Sequence, residues 1–260
     1  MTETIRNTLA AIERERDVRI LLAVESGSRA WGFASPDSDY DVRIIYVRPR
    51  DRYLLLEPER DVIELPISET LDVNGWDLDK TLRLLRRSNP TLFEWLGSPI
   101  VYLRTTTADG FRPLLERYFS PRQSMLHYLS MARRNFDDHL RGETVKAKKY
   151  FYVLRPVLAC RWILDRGTPP PVLFSELAAA ELDSSLRPAV DRLLDIKINA
   201  PEVRAVPRVT VLHDYLVQSM EETSRRLEAL PRESVPGWEP LDDFFRKVLA
   251  EGERPERSPA

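Results

Sequence analysis

The sequence predicts two halves of different character, an α/β half up to residue 105 and then an all-helical half. Before residue 105, short runs of β-branched and aliphatic residues recur between Gly, Pro, Asp and Ser positions, a pattern typical of strands. Beyond it these runs fade, and apolar residues recur at the three- and four-residue spacing of amphipathic helices. We therefore expect an N-terminal domain at 1–105, a helical domain at 106–250 and a flexible tail at 251–260.

The elements of the first half follow in chain order. An amphipathic helix is predicted over 2–16, because Ile5, Leu9 and Ile12 share one face. The predicted strands are 18–24, 39–47, 61–65 and 70–76, with an edge strand at 100–103. Helical segments are predicted directly after Gly27 and at 49–56, 77–88 and 91–96.

In the second half, helical periodicity continues almost without interruption. The predicted helices cover 107–119, 121–141, 144–166, 174–199, 208–230 and 241–249. The proline-containing segments 169–171 and 201–207 are predicted to be loops. Cys160 falls inside an apolar helix and is assigned to the core. The three histidines lie on separate helices and lack the partner pattern of a catalytic site.

Composition and charge exclude several classes of function. The chain has 260 residues and a formal net charge of −2, so it has no global basic field that would favour nucleic acid. The single cysteine excludes an internal disulfide, and no Cys/His pattern has zinc-binding spacing. No apolar run approaches the length of a membrane span, and 1–17 lack a signal-peptide pattern. We expect a cytoplasmic protein that does not interact with membranes.

The most informative stretch lies at 26–41, between the first two predicted strands. Gly27-Ser28 leaves a strand and opens a helix, and the backbone N–H groups and hydroxyl of such a turn suit a phosphate. Asp39 and Asp41 begin the next strand two residues apart, so their side chains share a face and suit a hard cation such as Mg²⁺. Phosphate and Mg²⁺ sites on one strand–turn–strand unit indicate phosphoryl or nucleotidyl transfer.

A metal site of this kind usually has a third carboxylate on a neighbouring strand. Asp72 is the first candidate, because it lies in the middle of the fourth predicted strand; Asp77 is the second and Glu64 the third. Arg43 shares the face of Asp41 and is expected to offset the charge of the carboxylates. The alternative reading is that Gly, Ser and Asp are ordinary turn residues, but their combination in this order favours the functional one.

A family resemblance rests on these residues. The run Gly27-Ser28-Arg29-Ala30-Trp31-Gly32, followed by Asp39-Tyr40-Asp41, resembles the signature of the DNA polymerase β-like nucleotidyltransferase superfamily. Further matching pieces are Phe33, Ser38, Val42 and Arg43 around that run, Gly75–Leu78, Ser88–Pro90 with Glu94–Leu96, and Lys148–Tyr152 with Arg155-Pro156. Together they resemble a bacterial and phage branch that includes the RNA-repair-pathway polymerase-β-like proteins.

The resemblance implies an α+β fold class. The expected architecture is a small mixed β-sheet with flanking helices, followed by an all-helical C-terminal domain that closes over the nucleotide. The resemblance also implies that Asp39 and Asp41 hold two Mg²⁺ ions, or Mn²⁺ in their place, and that Asp72 holds one of them. Gly27 and Ser28 would contact the triphosphate of an NTP, with ATP the first choice.

Cationic and aromatic residues near the motif are assigned to the nucleotide. Arg29 lies in the first turn of the short helix, within reach of a phosphate, with a surface salt bridge as the alternative. In the third helix of the second half, Lys148, Tyr152 and Arg155 form one stripe that suits phosphates and a base, with an ordinary solvated face as the alternative. Trp31 is expected to anchor the loop on the core.

The leading hypothesis is a Mg²⁺-dependent nucleotidyltransferase that transfers NMP from an NTP to a hydroxyl and releases pyrophosphate. The acceptor is left open among an RNA end, a protein side chain and a small molecule, and the family branch favours RNA repair. A second hypothesis is an antitoxin-like protein that docks on a partner or modifies it with AMP. A third is an aminoglycoside-type adenylyltransferase, whose additional base would be Asp137, Asp138 or Glu143. No pattern specifies the oligomeric state.

Overall fold

The fold is α+β, in a computed structural model that describes residues 1–67, 70–199, 205–231 and 233–252. Its strands are β1 (Arg19–Glu25), β2 (Tyr40–Val47), β3 (Val62–Glu64), β4 (Leu71–Asp77), β5 (Val101–Arg104), β6 (Thr144–Lys146) and β7 (Ala205–Pro207). Its helices are α1 (Thr2–Arg16), α2 (Gly27–Ala30), α3 (Leu78–Arg86), α4 (Pro90–Leu96), α5 (Phe111–Tyr118), α6 (Pro121–His139), α7 (Ala147–Arg166), α8 (Phe174–Glu181), α9 (Arg187–Asn199), α10 (Thr210–Ala229) and α11 (Glu239–Gly252). Short 3-10 helices cover Arg50–Leu54 and Thr106–Gly110.

The main sheet is mixed, as the family resemblance implies, with the strand order β3-β4-β2-β1-β5. Strands β2 and β4 are parallel, whereas β1 pairs antiparallel with both β2 and β5, and β3 pairs antiparallel with β4. The predicted edge strand is at the edge, as β5. Because β2 and β4 run side by side in the same direction, the residues that begin these two strands meet at one end of the sheet.

Both faces of the sheet are covered, because the central strands are apolar on both sides. On one face, Ile5, Leu9 and Ile12 of α1 pack against a cluster that includes Ile44 of β2. On the other face, the cluster combines residues of β1 and β2 with α3, α4, α5 and α11. Helices α5 and α11 lie beyond residue 105 in sequence and share this core with the sheet.

The second half packs its helices around α7. Helix α7 contacts α6, α8, α9 and α10, and these five helices form one apolar cluster. Phe33, from the loop between β1 and β2, is part of the same cluster. The loop that carries the sequence motif is therefore fixed partly by the helical half.

Two local predictions in this half are wrong. The predicted helix 144–166 starts only at Ala147, because 144–146 form β6, which pairs antiparallel with β7. Strands of three residues are too short for a readable period. The predicted helix 174–199 is divided into α8 and α9 by a turn at Asp183, whose carbonyl accepts a hydrogen bond from the Leu186 N–H. Asp and Ser in that segment favour a turn over a continuous helix.

The C-terminal end of the described chain is helical. Glu251 and Gly252 belong to the last turn of α11. The rest of the predicted tail, 253–260, lies outside the described residues, and so do residues 201–204 of the loop predicted at 201–207. The described part of that loop, 205–207, is the strand β7, so the loop prediction is wrong there. In the part of the chain that the structure describes, no helix combines the length and apolarity needed to span a membrane.

Candidate active site

The Gly-Ser turn lies directly against the carboxylate of Asp41. The ladder between β1 and β2 continues to Ser26, whose N–H donates to the Asp41 carbonyl at 2.9 Å. Gly27 comes next, with φ +60°, and a Cβ at this position would lie 2.2 Å from Oδ2 of Asp41. Both the left-handed backbone and the close contact require glycine here. The Gly-Ser turn and the side chain of Asp41 therefore form one structural unit.

Asp41 and Asp72 lie directly opposite each other in the parallel pairing of β2 and β4. Arg43 joins them, since its Nη2 lies 3.0 Å from Asp41 Oδ1 and 2.8 Å from Asp72 Oδ2. All three side chains are partly exposed at this edge of the sheet. The geometry confirms that Arg43 offsets the carboxylate charge, and it brings the first-choice third carboxylate next to Asp41.

The other two candidates for the third carboxylate lie elsewhere. Asp77 is buried at the far end of β4, where it caps α3 by accepting from the Asp79 N–H at 3.0 Å. It also accepts hydrogen bonds from Arg48 at 3.0 Å and Tyr53 at 2.8 Å. Glu64 pairs with Arg60 on the exposed strand β3. Neither side chain faces Asp41.

The carboxylate of Asp41 is in an environment that disfavours its charge. Burial raises the pKa of Asp41 above its ordinary value of 3.8; the Arg43 guanidinium counters this shift, and the charges of Asp72 and Asp39 add to it. Asp39 itself is exposed, one residue before β2 begins. The charges of Asp39 and Asp72 therefore both act on Asp41. The single positive charge of Arg43 compensates only part of the negative charge of the three carboxylates.

The donor set fits a hard cation in its chemistry. It consists of carboxylate oxygens, the ligands that Mg²⁺ prefers. Burial is the main cause of the raised pKa of Asp41, and the charges of Asp72 and Asp39 add to it. Across the described ranges, however, no three His, Cys, Asp or Glu side chains are gathered closely enough to hold a metal. Arg43 lies between the carboxylates of Asp41 and Asp72. Asp39 is exposed at the surface.

Arg29 braces the loop before β2. Its guanidinium donates to the carbonyls of Ser38 at 2.7 Å and Asp39 at 3.0 Å, and it stacks 3.7 Å from the centre of the Tyr40 ring. Ser28 is buried, with its carbonyl accepting from the Phe33 N–H at 3.0 Å. The phosphate contacts assigned to Gly27, Ser28 and Arg29 stay predictions.

The predicted stripe on α7 is not one surface. Arg155 is only 2% exposed, and its Nη1 lies 2.5 Å from Oε1 of Glu94 on α4. A side chain this deeply buried has no surface for a nucleotide, so the assignment of Arg155 to the nucleotide needs correction. Lys148 and Tyr152 are half-buried, and the Tyr152 ring contacts Trp31 edge-on at 5.8 Å. Tyr152 therefore lies beside the motif loop, and the nucleotide contacts of Lys148 and Tyr152 stay predictions.

Trp31 anchors the motif loop on the helical half, as predicted. Its Nε1 donates to Glu94 at 3.3 Å, and the Arg155 guanidinium lies 4.7 Å over its ring. Phe33 continues the anchor, with its ring 5.0 Å from that of Phe151. Because Glu94 also accepts from the Tyr128 hydroxyl at 3.1 Å, one largely buried carboxylate connects the loop to α6 and α7.

Sequence reasoning missed Glu25, a fully buried carboxylate at the end of β1. Its Oε1 accepts from the Asp41 backbone N–H at 2.7 Å, and its Oε2 accepts from the Tyr102 hydroxyl on β5. Burial raises the pKa of Glu25, while these two hydrogen bonds counter the shift. The available signal was a charged residue at the end of an apolar strand, directly before the Gly-Ser turn.

It also missed Lys197, which reaches the motif loop from α9. This lysine is buried, and its Nζ lies 2.9 Å from Ser35 Oγ and 3.2 Å from Ser38 Oγ. Ser38 directly precedes Asp39, so a cation from the helical half fixes the loop that presents the first predicted ligand. The signal was a lysine in the apolar stripe that also contains Val190 and Leu193.

The chain is similar to a solved structure, to a bacterial protein and to a protein family. A crystal structure of a nucleotidyltransferase-like protein from Exiguobacterium sibiricum 255-15 aligns over 98% of this chain and 81% of its own, at 13% identity and a TM-score of 0.32. The uncharacterized protein YcgL from Bacillus subtilis (strain 168) is 48% identical over 237 residues, which cover 88% of this chain and 90% of YcgL. A sequence profile of RlaP, the RNA repair pathway DNA polymerase beta family, matches residues 1–247. The chain therefore belongs to the RNA repair pathway DNA polymerase beta family.

Proposed function

We propose that the protein is a Mg²⁺-dependent nucleotidyltransferase that moves NMP from an NTP, ATP in the first place, to a hydroxyl group. The observation that carries the proposal is the opposition of Asp41 and Asp72 on parallel strands, with Gly27 against the Asp41 carboxylate. Membership of a polymerase-beta family supports the same class of reaction.

The reaction is an in-line displacement at the α-phosphorus. The acceptor hydroxyl oxygen forms a bond to that phosphorus, the bond to the bridging oxygen breaks, and pyrophosphate leaves with the electron pair. Asp72 takes up the hydroxyl proton, while Asp39, Asp41 and Asp72 would hold the cations. Bound Mg²⁺ supplies charge compensation for the phosphates and a lower pKa for the hydroxyl. Arg43 keeps the two strand carboxylates together before the cation binds.

The proposed acceptor is an RNA end, in a repair reaction. The family description supports this choice, and the chain's net charge of −2 gives no independent support. The carboxylates considered as the additional base of a small-molecule enzyme are exposed on and after α6, and Asp137 is paired with Arg141 at 2.6 Å. That pairing gives no reason to prefer a small-molecule acceptor.

The test is transfer of label from α-labelled NTPs to an RNA oligonucleotide in the presence of Mg²⁺. We expect the Asp41→Asn/Asp72→Asn protein to lose at least about 1,000-fold in rate, since two of the three proposed metal-holding carboxylates are gone. Glu116→Gln, an exposed acid on α5, is the matched control and should retain full activity. Equal labelling by wild type and the double variant would disprove the catalytic role, whereas label on protein alone would disprove the RNA acceptor.

A further inference from the structure

A cavity lies apart from the carboxylates, between the end of α3, helix α5, the start of α6 and the segment 233–236. Its volume is about 530 Å³, within the range of small-molecule sites. None of its lining residues belongs to the strand–turn–strand motif.

The described lining of this cavity is strongly cationic. It contains Arg86, Arg117 and Arg122, with Glu233 as the one acid among the described lining residues. The charges of Arg117 and Arg86 both affect the Tyr118 hydroxyl. Burial raises the pKa of Tyr118, and the two guanidinium groups counter that shift. Three guanidinium groups around one cavity favour an anion that accepts several hydrogen bonds, above all a phosphate.

Two of these arginines are held in place by neighbouring groups. Arg86 lies 4.2 Å over the Trp238 ring, and within the described residues its buried Nε has no hydrogen-bond partner. Arg122 donates through Nη1 to the carbonyls of Leu227 at 2.5 Å and Leu230 at 2.9 Å. The structure thus fixes the side chains of Arg86 and Arg122 beside open space.

The cavity also offers surface for a ring. Phe119, Leu126, Val235 and Pro236 line it, and the stacked Arg86–Trp238 pair adds planar faces nearby. Guanidinium and aromatic planes are the usual stacking partners of nucleobases. A neighbouring hollow of about 330 Å³ shares the lining residues Arg122 and Leu126 with this cavity, and Arg133 and Glu228 also line it.

From this combination we propose that the cavity binds a nucleotide unit, with its phosphate at the arginines and its base on the apolar wall. The unit is either a free nucleotide or one residue of a single strand, and the adjacent hollow lined by Arg133 favours a strand. The proposed site shares no side chain with the proposed catalytic site.

The test is fluorescence anisotropy with labelled AMP and a labelled short oligoadenylate, using the full chain in EDTA at low salt. We expect Arg117→Glu to weaken binding about tenfold and Arg86→Glu/Arg117→Glu more strongly, since each removes a charge-assisted hydrogen bond. Arg6→Glu/Arg14→Glu is the matched control, with the same charge change at exposed positions of α1, which packs on the sheet face opposite α5. Thermal unfolding of each variant separates lost binding from lost folding, and Arg117, which is exposed, is the safer single change.

Tighter binding of the oligoadenylate than of AMP would support a strand, and the reverse a free nucleotide. Absence of binding by the wild type, or equal weakening in the control, would overturn the proposal. Equal competition by inorganic phosphate would overturn the assignment to a nucleotide. Binding that is lost in Asp41→Asn/Asp72→Asn but kept in Arg117→Glu would place the nucleotide at the carboxylates instead. If the wild type transfers no label but binds the nucleotide probe through its arginines, the catalytic proposal fails and the proposal of this binding site stands.

Discussion

At the scale of single residues, Gly27 is required for two separable reasons, a positive φ and the absence of a Cβ beside Asp41. Gly167 is the matched control, because it has φ +65° but open space where a Cβ would be. We expect Gly167→Ala to cost about 1 kcal/mol from backbone strain alone. Gly27→Ala should cost more and abolish label transfer, as measured by thermal unfolding and the NTP assay. If Gly27→Ala lost no more stability than Gly167→Ala and kept its activity, the result would contradict the importance of the close contact with Asp41.

Asp41 should make the metal-free protein sensitive to pH. Its folded pKa is raised above 3.8, chiefly by burial, so the folded state holds this proton more tightly than the unfolded chain. The stability that it contributes is therefore present below pH 3.8 and lost as pH rises through the raised pKa. We expect Asp41→Asn to raise the melting temperature in EDTA at neutral pH, and to remove part of the decline between acidic and neutral pH. A lower melting temperature for the variant at neutral pH would contradict this account.

The same raised pKa sets the pH dependence of metal binding. A proton and Mg²⁺ compete for the Asp41 carboxylate, so the affinity for Mg²⁺ should rise with pH through that pKa and then level off. The stabilisation of the fold by added Mg²⁺, followed by thermal unfolding at several pH values, measures this dependence. Asp41→Asn should show little stabilisation by Mg²⁺ at any pH. A Mg²⁺ effect of equal size in both proteins would locate the metal elsewhere.

At the scale of secondary-structure elements, three strands meet at Glu25. Its carboxylate accepts from the Asp41 N–H of β2 and from the Tyr102 hydroxyl of β5, while the residue itself ends β1. Glu25→Gln keeps an acceptor for the Asp41 N–H and removes the buried charge. Glu25→Ala leaves that buried N–H without its partner, at a cost of about 1–3 kcal/mol. We expect urea unfolding to give a clearly lower free energy of unfolding for Glu25→Ala than for Glu25→Gln. Equal values would contradict a stabilising hydrogen bond from the Asp41 N–H.

At the scale of the whole molecule, the two halves are joined at the motif loop. The buried pair between Glu94 and Arg155 lies beneath Trp31, and Lys197 holds the serines that precede Asp39. The family resemblance implies that the helical domain closes over a nucleotide. Such a movement would have to keep these contacts intact. The loop is therefore expected to move with the helical half.

A double-mutant cycle measures this connection. Arg155→Met leaves Glu94 buried without its cation and should cost about 3–5 kcal/mol of unfolding free energy. Glu94→Gln/Arg155→Met should recover part of that loss, because no lone charge remains in the interior. Arg83→Met is the control, since Arg83 forms an exposed pair with Asp79 and should change stability by less than about 1 kcal/mol. Strict additivity of the two changes would show that the pair is not coupled.

Local patterns predicted most of the first half, because each element there carries its own signal. Helix α1, the strands β1 to β5 and the short helix after Gly27 lie within a residue or two of their expected bounds. Helical bounds in the second half were less accurate. The pairing of β6 with β7 joins residues some sixty positions apart, and no local period encodes such a contact.

The candidate site divides in the same way. The order Gly27-Ser28, Asp39, Asp41 by itself indicated a phosphate and metal site and the family, because that spacing is local chemistry on one strand–turn–strand unit. Sequence alone ranked Asp72 above Asp77 and Glu64, but only the parallel register of β2 and β4 brings Asp72 opposite Asp41.

Tertiary structure alone decided which charged residues are structural. Arg155 and Lys148 look alike on a helical stripe, yet Arg155 is buried against Glu94, and Glu25 and Lys197 reach the site from positions that no motif marks. The chain by itself determined the fold class and the family, and it predicted a phosphate and metal site at the motif. Burial and long-range pairing depend on contacts between residues far apart in sequence, so the identity of the site's partners emerged only when the chain was folded.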